Sequence, residues 1–448
     1  MIKKHQFEKV YLILTTIIII LVFSCSEDKS IVDPIDTGTV LAKIAVFSDP
    51  HFFDPSLGIS DSTSSEFIGY NRKMTAASEA ILTSAIKEIL DENVNILLIP
   101  GDLTKDGELQ SHQMFAEHLK QVEDSGVKVF VVPGNHDINN PNAKSYNGTE
   151  PTPVENISPS KFAEIYAKFG YNEALYRDPN SLSYIVQPLD NVWIIGIDDC
   201  DYDNNIANGY SETSGRLKTE TYEWIKTKIS EGAAANKLVF GIMHHGITEH
   251  FIKQNEFFSP YIVKDYIKIR SEFALLGMKA IFTGHFHAQD IVKHQEGSKF
   301  IFDIETGSLV TWPSPFRIIE LTSNSFLNIF SERITSIDFN TNGLTFQEYA
   351  KNSIEEGLPE MITSILIKDF SLTNEEAMLV APLMIEAIMA HYDGDENPSQ
   401  ETQNALQQLT EHQNPTIQQI AMGLNFLWLD IPPQDNALKI NLNNGTVN

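Results

Sequence analysis

Five short polar blocks, each directly after a short apolar run, constrain the fold of this chain more than any other feature. The runs are rich in Val, Ile and Phe, which is typical of buried strands, and helix-like stretches separate most of them. Because an α/β sheet collects its site residues beyond the carboxyl ends of its strands, we expect the blocks to meet in one pocket. In chain order they are Asp49-Pro50-His51, Gly101-Asp102, Gly134-Asn135-His136-Asp137, His244-His245 and Gly284-His285-Phe286-His287.

The side chains of these blocks offer carboxylate, imidazole and amide groups, without a thiolate. Imidazole together with oxygen ligands suits Mn, Fe or Zn, and two such ions about 3.5–4 Å apart can hold the attacking and leaving oxygens of a phosphoryl group. Asp102 is the candidate to bridge two ions, because the preceding glycine turn presents it alone at the centre of the order. Asp49 and His51 are two residues apart on an extended segment, so both can face one ion. His285 and His287 repeat that spacing, and one of them can serve each ion.

The five blocks make the chain similar to the calcineurin-like metallophosphoesterase superfamily, whose pattern DxH, GDx, GNH[DE], H and GHxH occurs here in full and in order. The resemblance covers residues 42–321 and implies a four-layer α/β/β/α sandwich around two divalent or trivalent metal ions. It also implies that His136 is the general acid at the leaving oxygen rather than a metal ligand. The implied ligands of the first ion are Asp49, His51, Asp102 and His287, and those of the second are Asp102, Asn135, His244 and His285.

Details of the blocks look most like the cyclic-nucleotide and glycerophosphodiester phosphodiesterases within that superfamily. Purple acid phosphatases have a metal-binding Tyr three residues after the Asp of the second block, where this chain has Lys105. A departure follows His245, where many relatives have Pro and this chain has Gly246, so the rim of the pocket and the base preference stay open. We expect hydrolysis of small phosphodiesters, above all cyclic nucleotides, by a metal-activated water.

Two alternative functions are kept beside this one. The first is a phosphomonoesterase or nucleotide pyrophosphatase with the same metal site. The second is a binding lipoprotein without catalysis, which is disfavoured because every ligand position of the pattern is filled.

Several residues near the blocks have more than one interpretation. Arg72, in the loop after the first block, can hold a phosphate oxygen or pair with a carboxylate, and His245 can lie behind the ligands or pack structurally; both are candidate substrate contacts. Asp137 is expected to orient a neighbour through hydrogen bonds rather than bind metal. Six histidines outside the blocks are predicted to be surface or structural residues: His112, His118, His250, His294, His391 and His412.

The amino-terminal residues predict the compartment. Three lysines precede an apolar run at residues 10–23, which is too short and wrongly flanked for a membrane span and is typical of a signal peptide at residues 1–24. The end of the run resembles a bacterial lipobox, so we expect Cys25 to be lipidated and residues 25–41 to form a flexible tether. Ser26 resembles a sorting residue of Gram-negative lipoproteins. The expected location is extracytoplasmic, lipid-anchored to the outer membrane or cell surface of a Gram-negative bacterium.

The charge balance limits the partners of the chain. Its net charge is −28, and removal of residues 1–24, which contain three Lys and one Glu, changes that to −30. Nucleic-acid binding depends on Lys and Arg that neutralise phosphates, so a nucleic-acid polymer is not expected as a partner. A small phosphoester remains compatible because paired metal ions supply local positive charge. The expected partners are therefore this substrate and, through Cys25, a membrane; protein partners are not predicted.

The length of 448 residues predicts two domains, a catalytic domain at 42–340 and a small helical domain at 341–448. Three strand-like runs at 300–304, 316–321 and 326–330 are expected to close the second sheet of the sandwich. Thr373, three residues before Glu376, predicts a capping box at the start of a helix in the second domain. The predicted helices are residues 75–92, 107–123, 158–169, 217–230, 374–389, 400–410 and 416–428.

Overall fold

The computed structural model describes residues 38–58 and 73–448 of the chain. The predicted signal peptide, Cys25, most of the tether and Arg72 lie outside these residues. Within the two described ranges, no helix is both long enough and apolar enough to cross a membrane.

The strands are short and are mostly built from the buried Val, Ile, Leu and Phe runs that the sequence shows. In chain order they are β1 (Val40–Val46), β2 (Ile96–Pro100), β3 (Lys128–Val132), β4 (Lys144–Ser145), β5 (Thr152–Pro153), β6 (Tyr176–Arg177), β7 (Tyr184–Leu189), β8 (Val192–Gly196), β9 (Leu238–Ile242), β10 (Met278–Thr283), β11 (Asp290–Glu296), β12 (Lys299–Glu305), β13 (Pro315–Thr322), β14 (Phe326–Arg333) and β15 (Ala437–Asn441).

Each of the seven predicted helices is present, with bounds within a few residues of the prediction. The described residues also form four α-helices that were not predicted, at Asn205–Asn208, Gln254–Phe257, Tyr266–Leu276 and Phe346–Lys368. In chain order the helices are α1 (Ser78–Asp91), α2 (Leu109–Asp124), α3 (Pro159–Ile165), α4 (Asn205–Asn208), α5 (Thr219–Ala234), α6 (Gln254–Phe257), α7 (Tyr266–Leu276), α8 (Phe346–Lys368), α9 (Asn374–Asp393), α10 (Gln400–Thr410) and α11 (Pro415–Leu427). The predicted capping box is present at the start of α9, where the Thr373 side chain accepts a hydrogen bond from the backbone N–H of Glu376.

Two sheets form the centre of the molecule. The first has the order β15-β14-β13-β1-β2-β3, and the second has the order β11-β12-β10-β9-β8-β7-β6. Strands β1, β2 and β3 are parallel to one another, as are β8, β9, β10 and β12. The carboxyl ends of each parallel set therefore meet at one edge of its sheet.

The second sheet separates two hydrophobic cores, because side chains alternate along each strand. On β8, Val192 and Ile194 pack with residues of the first sheet and of α1 and α2. Their neighbours Trp193 and Ile195 pack with residues of α5 and α7. This arrangement confirms the expected sandwich of two sheets between helices.

One expectation about the sheets is wrong. Of the three late strand-like runs, only the one within β12 belongs to the second sheet. β13 pairs with β1, with Ile319 opposite Ile44, and β14 pairs with β13, so both belong to the first sheet. The alternation of apolar and polar residues along a strand shows that one of its faces is buried. Because both sheets bury a face in the same core, this alternation does not show which sheet the strand joins or which strand it pairs with.

The helical region after the sandwich has a core of its own, as its Met, Leu and Ile pattern predicts. Ile354 and Leu358 of α8, Val380 of α9 and Leu424 of α11 are buried in it, together with Phe251 from the sandwich. The chain then returns through β15, which pairs with β14 at the edge of the first sheet. Residues from Val40 onward form one compact unit, and the division at residues 340 and 341 stays a prediction.

Candidate metal centre

All five polar blocks follow parallel strands, and the structure brings their side chains together. The first three blocks follow β1, β2 and β3, and the last two follow β9 and β10. Five of the predicted ligands have a left-handed backbone conformation, which costs roughly 1–3 kcal/mol at a residue with a side chain and persists only where the surrounding structure imposes it. They are Asp49 (φ 48°), His51 (φ 35°), Asp102 (φ 47°), His285 (φ 75°) and His287 (φ 68°).

Two glycines allow the loops of the blocks to approach each other. A Cβ atom at Gly134 would lie 2.1 Å from the backbone N of Asp102, and one at Gly284 would lie 2.4 Å from Oδ2 of Asp49. Both distances are far inside van der Waals contact. Side chains at these positions would therefore push the loops and their carboxylates apart.

The first group of donor atoms belongs to Asp49, His51 and His287, all buried. The Nε2 atoms of the two histidines are 3.4 Å apart. Oδ1 of Asp49 lies 3.5 Å from Nε2 of His287 and 3.9 Å from Nε2 of His51.

The second group comprises Asp102, His244 and His285, with Asn135 beside them. Oδ1 of Asp102 lies 3.4 Å from Nε2 of His244, which is 3.1 Å from Oδ1 of Asn135. The other oxygen of Asp102, Oδ2, lies 3.5 Å from Nε2 of His51 in the first group. Asp102 thus stands between the two groups with one oxygen toward each, as expected of a bridging carboxylate.

These separations fit a pair of metal ions. An ion with bonds of about 2.0–2.1 Å to its ligands holds neighbouring donors about 3.3–3.4 Å apart in a tetrahedral site. Oδ1 of Asp49 is buried and has no hydrogen-bond donor, whereas its Oδ2 accepts from Ser48 and from the backbone N–H of His285. A buried carboxylate oxygen without a donor is costly unless a cation meets it, and this one lies between two imidazoles.

Hydrogen bonds orient two of the imidazoles. Nδ1 of His244 donates to the carbonyl oxygen of Pro100 at 2.8 Å, which leaves the lone pair of Nε2 toward Asp102. Nε2 of His285 donates to the carbonyl oxygen of Pro260 at 3.3 Å, which leaves its Nδ1 as the acceptor.

Electrostatics also favour cations in the centre. Burial lowers the pKa of His51, assisted by Lys73, and burial lowers that of His285, so both imidazoles are neutral and can bind metal. Burial opposes a charge on His244, but Asp102 outweighs it and raises the pKa of His244 to about 10. The space between Asp102 and His244 therefore stabilises positive charge, whether a proton or a metal ion supplies it.

Asp137 supports the centre from behind, as expected. Its Oδ2 accepts from the backbone N–H groups of Leu103 (3.0 Å) and Gly134 (2.8 Å), and its Oδ1 accepts from the N–H and the hydroxyl of Thr104 (both 2.9 Å). One buried carboxylate therefore ties the loop of Asp102 to the loop that contains Asn135.

His136 lies at the edge of the centre with its side chain 28% exposed. Its Nδ1 donates to the carbonyl oxygen of Lys105 at 2.7 Å and lies 3.1 Å from Oδ1 of Asp106. Nε2, on the other side of the ring, lies 3.9 Å from Oδ2 of Asp102. The ring can thus hold a proton at Nε2, next to both donor groups and to solvent.

Sequence reasoning missed the support that Lys105 and Asp106 give to His136. Burial opposes ionisation of Asp106, but Lys105 and His136 lower its pKa to about 2. The signal in the sequence was a charged pair directly after the second block, followed by Gly107.

His245, a candidate substrate contact, lies behind the metal centre. It is completely buried, with Nδ1 2.9 Å from Oδ2 of Asp199 and Nε2 2.8 Å from the carbonyl oxygen of Thr213. Both ring nitrogens are therefore occupied behind the centre, where the ring packs against His285 at a centroid distance of 4.1 Å.

Three of the described histidines outside the blocks are buried. His112 contacts the carbonyl oxygen of Asp137 at 2.9 Å, which agrees with a structural role. His250 lies among Asp290 (3.2 Å), Asp303 (3.4 Å) and Glu305 (3.4 Å), and burial raises the pKa of Glu305 to about 8. The third, His391 of α9, contacts Glu396 at 2.5 Å beside the same acidic cluster.

A comparison with protein-family models identifies the family of the chain. The sequence model described as calcineurin-like phosphoesterase matches residues 42–289, more than half of the chain. No curated protein matches the chain significantly. A solved dimetal phosphatase from Danio rerio matches with 12% identity and a TM-score of 0.49 over 68% of this chain and 99% of that one. A purple acid phosphatase from yellow lupin (Lupinus luteus) matches with 12% identity and a TM-score of 0.41 over 69% of this chain and 53% of that one, so this chain spans about half of the lupin enzyme.

Proposed function

The chain belongs to the calcineurin-like phosphoesterase family, and on that premise we propose that it hydrolyses small phosphodiesters, with cyclic nucleotides as the first class to test. The observation that supports this most directly is the position of Asp102 between two groups of buried donor atoms, with His136 beside them. A paired-ion site next to a proton donor is suited to phosphoester hydrolysis.

The residues present fit two ions of Mn, Fe or Zn, because imidazole and oxygen donors suit all three. When bound, such ions would supply Lewis acidity and a water that is deprotonated near neutral pH. In this proposal the first ion would be held by Asp49, His51, Asp102 and His287, and the second by Asp102, Asn135, His244 and His285.

His136 would give the proton that the leaving oxygen needs. The carbonyl oxygen of Lys105 and the carboxylate of Asp106 hold Nδ1, so the proton available for transfer is the one on Nε2. Asp106 remains ionised because, against the effect of burial, Lys105 and His136 lower its pKa, and its carboxylate helps to fix the orientation of the ring through Nδ1. A positioned acid of this kind contributes about 10²–10⁴-fold to the rate.

The charge of the chain supports a small substrate rather than a polymer. The net charge of −28 repels a long polyanion, which must lie across the surface outside the metal site. Anchoring through Cys25 and a location outside the cytoplasm belong to the same proposal, and they rest on the sequence alone because Cys25 lies outside the described residues.

The test begins with metal analysis and a substrate panel. The purified protein should contain two metal ions per chain and should hydrolyse a cyclic nucleotide with a kcat/KM orders of magnitude above that for single- or double-stranded DNA. Asp102→Ala should remove both ions, whereas retention of two ions with unchanged activity would disprove the site. Turnover of monoesters alone would show a phosphomonoesterase, and better turnover of DNA would refute the small-substrate proposal.

A second test isolates His136. His136→Ala should lower kcat by about 10²–10⁴-fold for an alkoxide leaving group and much less for nitrophenolate, which leaves without a proton. The matched control is His294→Ala on β11, outside the site, which should leave kcat unchanged for both substrates. Equal losses with both leaving groups would remove His136 from the acid role.

A further inference from the structure

A large apolar cavity, about 670 Å³ in volume, lies directly beside the metal centre. His136 and Asp106 line one end of it together with Lys73 and Lys105, so this end is polar and charged. The remainder is almost entirely apolar. Its walls are formed by aromatic and aliphatic side chains, among them Phe251, Phe257, Phe258, Phe370, Ile388 and Leu424.

The cavity exists because the helical region packs against the loops that carry the metal donors. Helices α8, α9 and α11 supply the aliphatic wall, and the segment after the fourth block supplies the aromatic wall. Phe286, between two predicted ligands of the fifth block, packs against Phe251 and Phe258 with centroid distances of 5.9 and 5.4 Å. The aromatic wall of the cavity is thereby in contact with the loop that carries two of the predicted ligands.

The shape and chemistry of the cavity match a hydrocarbon better than a nucleobase. A volume of this size holds a drug-sized group. Among the described residues that line the cavity away from its charged end, only Thr75, Gln419 and the hydroxyl of Tyr261 offer side-chain hydrogen bonds. A nucleobase would bury several polar atoms there without enough partners. Phe257 and Phe370 are 42% and 41% exposed, so the apolar wall also reaches solvent, where a chain can enter.

We propose that this cavity binds the hydrocarbon chain of the leaving group, so that the preferred substrate is a phosphoester of a long-chain or lipid alcohol. The inference rests on the proposed function, since it places the phosphoryl group at the metal centre. The leaving group is the part concerned because His136, which meets the leaving oxygen, lines the cavity.

The reaction is a balanced hydrolysis. Water adds to phosphorus and the bond from phosphorus to the chain oxygen breaks. That oxygen takes the proton from Nε2 of His136, so the products are the long-chain alcohol and the remaining phosphate ester. The hydroxyl of the water stays on phosphorus, and the other proton of the water replaces the one that His136 gave to the leaving oxygen.

The experiment compares methyl n-alkyl phosphodiesters with ethyl, butyl and octyl leaving groups, with the released alcohol measured by mass spectrometry on the metal-loaded protein. Each methylene buried in the cavity is worth about fourfold in kcat/KM, which is about 0.8 kcal/mol. We expect the octyl ester to exceed the ethyl ester by at least about 100-fold, since part of the chain stays in contact with solvent. A kcat/KM independent of chain length, or a cyclic nucleotide preferred over the octyl ester, would overturn the inference.

Two matched variants on α9 locate the effect. Ile388→Trp fills the cavity and should lower the ratio of kcat/KM for the octyl ester to that for the ethyl ester at least about tenfold. Ile385→Trp makes the same substitution in a separate groove between α8 and α9 and should leave kcat/KM unchanged for both esters. A chain-length preference that survives Ile388→Trp would place the hydrocarbon elsewhere.

A binding measurement separates this inference from the proposed function. Calorimetry should show that n-octylphosphonate, which lacks the bond to be cleaved, binds at least about 100-fold more tightly than ethylphosphonate and with a negative heat-capacity change. Ile388→Trp should remove this difference. If the protein hydrolyses no ester at all, the proposed function fails, whereas equal binding of the two phosphonates refutes the cavity alone.

Discussion

Replacement of Asp137 should test whether the metal centre depends on a support that touches neither metal nor substrate. Its carboxylate accepts from the backbone N–H groups of Leu103, Thr104 and Gly134. Asp137→Ala leaves these three buried donors without an acceptor. The loop of Asp102 then loses its fixed position relative to the loop of Asn135.

The magnitude follows from the orphaned donors. An unsatisfied buried donor costs about 1–3 kcal/mol, so three donors cost on the order of 3–9 kcal/mol before water enters the space. We expect Asp137→Ala to lower the free energy of unfolding by about 3–5 kcal/mol, a large part of the 5–15 kcal/mol that stabilises a typical domain. Loss of the negative charge adds little, because burial and Asp102 already raise the pKa of Asp137 to about 7.

Asp137→Asn separates the hydrogen bonds from the charge. Asparagine keeps one acceptor oxygen, but its NH2 group must face backbone N–H donors. We therefore expect about half of the loss in the free energy of unfolding that Asp137→Ala causes. Both variants should also bind metal less tightly, because Asp102 is displaced with its loop.

The assay is denaturant unfolding of each variant together with its metal content. Asp124→Ala is the control, since Asp124 is an exposed residue of α2 that pairs with Lys120, and its loss should stay within about 0.5 kcal/mol. A loss below about 1 kcal/mol in Asp137→Ala, with metal content unchanged, would refute the supporting role.

Three further predictions concern other parts of the chain. Burial raises the pKa of Glu305 from 4.5 to about 8, so the folded state keeps a proton that the unfolded state loses, and the free energy of unfolding should fall as pH rises through that window. Glu305→Gln should flatten this fall by a few kcal/mol between pH 5 and pH 8.5 in denaturation curves, and parallel curves for both proteins would contradict the shift. Gly134→Ala should abolish metal binding by displacing Asp102, whereas Gly148→Ala, with no atom nearer than 3.5 Å to the new Cβ, should retain it. Cys25→Ser should escape lipid labelling and lose partition into detergent, and unaltered partition would show that the anchor lies elsewhere.

The sequence by itself determined the chemistry of the centre. Each block stands directly after a strand, and parallel strands bring their carboxyl ends to one edge of their sheet, so local pattern was enough to gather Asp49 and Asp102. His244 follows a strand of the other sheet, and only the packing of the two sheets brings it to them. The capping box at Thr373 also fixed the start of α9 without help from the rest of the chain, because its partners are only three residues apart.

Only the tertiary structure decided features that depend on contacts between distant residues. β13 pairs with β1 across most of the chain, and nothing in its own alternation names that partner. The burial of His245 depends on Asp199 and Thr213, and the support of His136 depends on how the loop of Asp106 turns back. The cavity beside the centre is decided in the same way. Leucines and isoleucines of α8, α9 and α11 have the same pattern whether their side chains fill a core or line a cavity, and only the packing of the helices against the metal loops leaves that space open.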